Sequence, residues 1–279
     1  MIQKTIIRTK LAGLLVLLIF VVPAVAADTV VYTAKLIRTM EPALPEATAV
    51  AVEDGKILAV GDLDSLAPLI ASRGARIDRQ FEQHVMTPGL IDPHVHPTLP
   101  AVLTQFPFLA PDDWYLPTGD FPGATTPEGY KSALINLVKN HNDTEVPFIA
   151  FGYHPLWHGE VWREDLNDWF GDVPVMIWHR SFHELIGNDA AWNLLGVTKE
   201  DADAIHEGAN WERGHFYELG LRAVFPRMAF LFEPARYMKG MQNFLSMMHE
   251  SGVTTAADMG TGIFGNPVAE IQAVKAAVA

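Results

Sequence analysis

In the stretch PGLIDPHVHP, residues 88–97, an apolar run ends in His94 and His96, one residue apart and bracketed by Pro93 and Pro97. Side chains two residues apart on a strand project to the same side, so the two imidazoles converge while Val95 points the other way. Proline on either side suits the end of a strand better than its middle. Two neutral imidazoles at such an edge make half of a divalent metal site, whose other ligands and hydrogen-bonded support must come from elsewhere in the chain. The same pair on a loop or in a partly buried strand would bind nothing.

The run that delivers the pair, residues 90–95, is the first of four apolar stretches. Residues 146–153 (VPFIAFGY) follow a helical stretch over 127–140, residues 173–178 (VPVMIW) are the third, and residues 252–258 (GVTTAAD) come after a helix over 234–251. Alternation of this kind predicts parallel strands joined by crossovers, an α/β fold whose chemistry sits at the C-terminal edge of the strands. Upstream, residues 28–40 read as a strand, and ATAVAVEDGKILAVGD as a hairpin about Asp54-Gly55. A short helix over 63–72 and an extended stretch over 76–85 complete a small β-rich unit spanning 27–86. Four strands are too few to close an eight-stranded barrel, which takes about 250 residues of its own. The chain stops in the helix-like EIQAVKAAVA, which reads as an interruption rather than an end.

Composition narrows the function. The 279 residues carry a formal charge of −13, and the first 26 hold Lys4, Arg8 and Lys10 with no acid, so the remainder is more acidic still. An acidic surface argues against nucleic acid and anionic membranes as partners. There is no cysteine, so disulfides, thiolate ligands and a cysteine nucleophile are all excluded. The segment MIQKTIIRTKLAGLLVLLIFVVPAVA has a basic start, an apolar centre over 11–22 and a small-residue end, the layout of a secretory signal peptide cleaved after Ala26. Its apolar run falls short of the ~20 residues of a spanning helix. A secreted or periplasmic product without a stable membrane span is the expectation.

These motifs carry a resemblance. VMTPGLIDPHVHP resembles the first barrel strand of the amidohydrolase superfamily, and AVAVEDGKILAVGD the strands of its N-terminal β-sandwich. VPVMIWHRSFHELIGNDAAWNLLGVT, GHFYELGL and HESGVTTAADMG are similar to landmarks of the YtcJ-like (type-3) branch, which includes N-substituted formamide deformylases. The resemblance covers nearly all of residues 28–265. It implies the first half of a (β/α)8 barrel, about four strands over 87–279, preceded by part of a composite β-sandwich.

For the site, the resemblance implies that His94 and His96 bind a divalent metal, usually zinc, one or two ions. It offers Glu218 as a third carboxylate near metal or substrate, against a solvated surface acid. It offers His183 and Asn188 as pocket residues, against an N-cap or a loop hydrogen bond. Asp258 ends the fourth run at a position where helix capping competes with an active-face role. Family members continue for about as long again, supplying later histidines and the aspartate that acts as general base; that base is expected beyond residue 279. The implied activity is hydrolysis of an amide or formamide C–N bond by metal-activated water, with this chain an N-terminal fragment inactive alone.

All seven tryptophans fall between Trp114 and Trp211, with Tyr153, Trp157 and Trp162 in one stretch. They either wall an apolar pocket, Trp157 contacting substrate, or anchor long loops. Two other functions stay open: a deaminase or cyclic-imide hydrolase of the same superfamily, and a non-catalytic periplasmic binding or metal-sequestering protein.

Overall fold

The computed structural model describes residues 28–205 and 207–278. The segment 1–26 that reads as a signal peptide lies outside the described residues. The fold divides between Pro88 and Gly89 into two compact units.

The first unit is a four-stranded mixed sheet with one helix. Strands β1 (Val30–Arg38), β2 (Glu46–Glu53) and β3 (Lys56–Gly61) run antiparallel, and β4 (Arg76–Met86) pairs parallel to β1 on its other side. The β2–β3 turn falls on Asp54 and Gly55, both at positive φ (51° and 72°), as an Asp-Gly hairpin requires. Helix α1 (Leu63–Arg73) begins at a capping box between Asp62 and Ser65 and buries Leu66 against Val31, Ala49 and Ala51.

The second unit opens with β5 (Leu90–Val95) and α2 (Thr98–Leu103). A long excursion follows: β6 (Trp114–Leu116), β7 (Gly119–Phe121), α3 (Pro127–Val138), β8 (Phe148–Tyr153), α4 (Pro155–His158), α5 (Arg163–Phe170), β9 (Val175–His179), β10 (Glu184–Gly187), α6 (Asp189–Leu194), α7 (Lys199–Asp203), β11 (Ala209–Asn210), β12 (His215–Tyr217) and α8 (Leu219–Val224). A 3-10 segment (Phe225–Phe232) leads into α9 (Pro234–Glu250), β13 (Val253–Asp258) and α10 (Pro267–Ala277).

The pairing corrects one expectation. The four apolar runs are not neighbours in one parallel sheet: β5 pairs directly with β13, Val95 opposite Asp258, whereas β8 and β9 belong to a separate five-stranded sheet of order β11-β12-β10-β9-β8. Only β8 and β9 are parallel there, and the rest of that sheet is antiparallel. Two strands rather than four therefore form the layer that carries His94 and His96, and no sheet among the described residues is closed. After β9 a turn with Phe182 at φ 71° reverses the chain, so that β10 returns antiparallel. Counting apolar runs finds these four strands but neither their partners nor the short strands between them.

The five-stranded sheet is buried on both faces. Met176, Trp178 and Leu185 enter one core with Trp192, Phe216 and Met241; Val175, Ile177 and Ile186 enter the other with Tyr130, Leu134 and Leu166. The alternation follows from the two-residue repeat of a strand.

Candidate metal centre

His94 and His96 stand at the C-terminal end of β5, their rings 5.0 Å apart between centroids and nearly perpendicular at 88°. Their Nε2 atoms face each other at 3.3 Å. Nitrogens held 2.0–2.1 Å from a tetrahedral metal are separated by about 3.3–3.4 Å, so the pair fits the bite of one such ion. The strand end is fixed on both sides of the pair. The Asp92 carboxylate accepts the His94 backbone N–H at 3.0 Å, and the Val95 carbonyl accepts the Met259 N–H at 3.0 Å, extending the ladder to β13.

His96 Nδ1 is buried and has no hydrogen-bond partner among the described residues. It lies against Gly260, where a Cβ would come within 2.2 Å of it. Glycine there lets the backbone approach the imidazole. Asp258, opposite Val95, accepts from Gly260 N–H at 2.8 Å and from the Thr261 hydroxyl at 2.6 Å. Its carboxylate thus caps the turn after β13 and shapes the backbone beside His96. Among the described residues no group of three or more His, Asp or Glu side chains converges to hold a metal. The residues fit a metal as two ligands of an incomplete set.

Glu218 and His183, 35 positions apart, are brought together, His183 Nδ1 lying 3.2 Å from a Glu218 carboxylate oxygen. Both side chains are exposed. Glu218 sits at φ 47° just before α8, and Phe182 next to His183 at φ 71°. Positive φ in such side chains costs of order 1–3 kcal/mol each and concentrates at binding and catalytic sites. At Phe182 the strain is offset by its ring stacking on Trp178 at 4.7 Å and its carbonyl accepting the Trp178 indole N–H at 3.0 Å. The pair borders a cavity of about 310 Å³ with Phe182, Arg222, Phe225 and Phe264. No hydrogen bond among the described residues joins it to His94 or His96, and no group of three or more candidate ligands forms there. Residues after β13 nevertheless border both places: Gly260 touches His96, and Gly262–Phe264 line this cavity.

Asn188 is fully buried, and all its polar contacts go to backbone: its Oδ1 accepts from Val175 and Ala191 N–H, and its Nδ2 donates to Gly171 and Val173 carbonyls. It is the N-cap of α6 and a clamp on β9, with no polar atom left for a substrate. Trp157 is half-buried, edge-on to His154 at 4.8 Å and beneath Arg180 at 5.8 Å.

A histidine cluster at the ends of β8 and β9 was not legible in the sequence. His215 Nε2–H donates to Glu184 at 2.9 Å, His179 Nδ1 lies 4.0 Å from the same carboxylate, and the His154 ring is 5.0 Å from that of His179. Burial lowers the pKa of His179 and of His215, with Glu184 opposing in both cases. The four residues come from different strands and turns, and nothing in their spacing announces the meeting.

The fold of the chain is similar to those of two solved structures. One is an uncharacterized metal-dependent hydrolase from Pyrococcus horikoshii OT3 (TM-score 0.59, 19% identity), covering 84% of this chain and 43% of that one. The other is an uncharacterized metal-dependent hydrolase from Pyrococcus furiosus (TM-score 0.58, 16% identity), covering 87% and 47%. In sequence, 253 residues are 26% identical to the exoenzymes regulatory protein AepA of Pectobacterium carotovorum subsp. carotovorum, covering 86% of this chain and 51% of that protein. The chain thus spans about half the length of the proteins it matches. No family model matches it.

Proposed function

We propose that this chain contributes the first metal-binding strand of a hydrolase that uses a divalent metal, zinc foremost, to cleave an amide- or formamide-type C–N bond in a small molecule. The observation that carries this reading is the 3.3 Å approach of two imidazole Nε2 atoms at a strand's C-terminal end. The likeness to folds of proteins described as metal-dependent hydrolases supports it. When bound, the metal would polarise the scissile carbonyl and acidify a water. His94 and His96 would hold it, Gly260 lets the loop after β13 close on His96, and Asp258 keeps that loop in shape. The type-3 amidohydrolase branch is the finer assignment, resting on the sequence motifs around residues 85–97, 173–198 and 249–260.

Equilibrium dialysis against zinc tests this. Wild type should retain zinc, and His94→Ala/His96→Ala should retain none at that site; equal retention by both would sink the reading.

A second reading is favoured by the name of the relative AepA, a regulatory protein, together with the lack of a third converging ligand among the described residues. On it, the chain binds metal or ligand without turnover. Release of amine or formate from N-formyl and N-acyl compounds bears on it: metal-dependent release that is abolished by His94→Ala would exclude the regulatory reading.

Export is proposed from residues 1–26. N-terminal sequencing of the secreted or periplasmic product should begin at Ala27, and an intact Met1 would contradict it. No helix among the described residues is long and apolar enough to cross a membrane.

A further inference from the structure

Three cavities of about 310, 400 and 390 Å³ all have Phe264 in their lining; the first and second also share Arg222, Phe225 and Ile263, and the second and third Phe232, so they adjoin along one aromatic cleft. Phe264 lies 6.1 Å from Phe182, 5.4 Å from Phe225 and 4.9 Å from Phe232, and Phe232 lies 6.0 Å from Tyr237 at the far end. An apolar channel of this size with a few polar groups has the make-up of a small-molecule site.

The segment carrying Phe264 is pinned from beneath. The buried Glu270 carboxylate accepts the Gly262 N–H at 2.7 Å and the Phe264 N–H at 3.2 Å. Tyr237 is 8% exposed, and its hydroxyl has no hydrogen-bond partner among the described residues, a costly state for a buried group.

Three charged side chains line the cleft. Glu218 is engaged by His183 and Glu270 by the two backbone N–H groups, while Arg222, exposed on α8, enters none of the ion pairs formed by the arginines among the described residues. Arg222 is thus the charged side chain of this lining with no partner among the described residues, and the walls around it are aromatic.

We propose that this cleft binds a small carboxylate-bearing molecule with an aryl or branched-alkyl body, Arg222 receiving the carboxylate and Phe264 covering the apolar part. Because Gly260 of the same segment touches His96, the ligand is the substrate in the hydrolase reading, and the inference deepens that reading and rests on it for that identification. Binding itself needs no metal.

Calorimetric titration with 4-phenylbutyrate and its neutral analogue 4-phenylbutyramide, in chelator, tests the site. Wild type should bind the carboxylate about tenfold or more tightly than the amide, the ratio a charge-assisted hydrogen bond supplies. Arg222→Gln should abolish that preference without unfolding the protein, since the side chain is exposed, and Phe264→Ala should weaken both ligands. No binding of 4-phenylbutyrate, or a preference unchanged in Arg222→Gln, would overturn the cleft assignment. The same titration with His94→Ala/His96→Ala keeps the two claims apart: binding retained there, with zinc uptake absent from wild type, would remove the hydrolase reading and leave the cleft.

Discussion

His158 is the clearest single residue whose environment dictates its chemistry. It is 1% exposed, stacked on Tyr130 at 4.1 Å, with Nδ1 accepting the His154 N–H at 3.1 Å and Nε2 2.8 Å from the Ala124 carbonyl. Nδ1 must be unprotonated to accept, so Nε2–H donates and the ring is neutral. Burial pushes its pKa down from 6.5 to about 4. As pH falls, the unfolded chain takes up the proton first, so the stabilisation is complete above pH 6.5 and is lost progressively towards pH 4. The difference is worth about 3 kcal/mol at ~1.4 kcal/mol per pH unit. Denaturant unfolding at pH 7 and pH 4.5 should therefore show a markedly smaller acid loss in His158→Gln than in wild type, and parallel losses would contradict it. At this scale His94 and His96 were legible because i and i+2 on a strand must share a face. The His183–Glu218 contact was not, because they are 35 positions apart and three strands intervene. Asn188 was legible only as an alternative, since an asparagine before a helix reads equally as cap or pocket residue.

Among the elements, the turn after β13 matters most for function. Asp258 caps it, Glu270 at the first turns of α10 holds its far side, and Gly260 brings its backbone against His96. A methyl at Gly260 would stand 2.2 Å from His96 Nδ1, so the imidazole must shift and its Nε2 leave the 3.3 Å approach to His94. Gly260→Ala should weaken zinc binding about tenfold or more, as loss of second-layer support around a ligand typically does. Unchanged affinity in a zinc titration would show that the loop does not govern the ligand. The Asp54-Gly55 hairpin, β5, β13 and α9 could all be placed from sequence, because turn chemistry and period are local. Sheet partnership was not local: β8 and β9 are buried almost throughout, as parallel strands covered on both faces should be, and nothing in them distinguishes membership of the β5 layer from membership of a separate sheet.

For the whole molecule, the parallel pair β5–β13 is interrupted in sequence by the long segment from α2 to α9, which builds its own doubly buried sheet. That segment supplies Arg222, Phe225 and the His183–Glu218 pair, while the residues after β13 supply Phe264 and the contact to His96. Metal pair and cleft thus meet through one short stretch of chain, which is the arrangement a hydrolase needs if one region is to hold the reactive bond and another the body of the substrate. The measurement that tests this most directly is anomalous diffraction at the zinc edge from crystals grown with zinc. A peak about 2.0–2.1 Å from Nε2 of both His94 and His96 is expected. A bound zinc elsewhere, or no peak between the two imidazoles, would contradict the assignment of this strand end as a metal site.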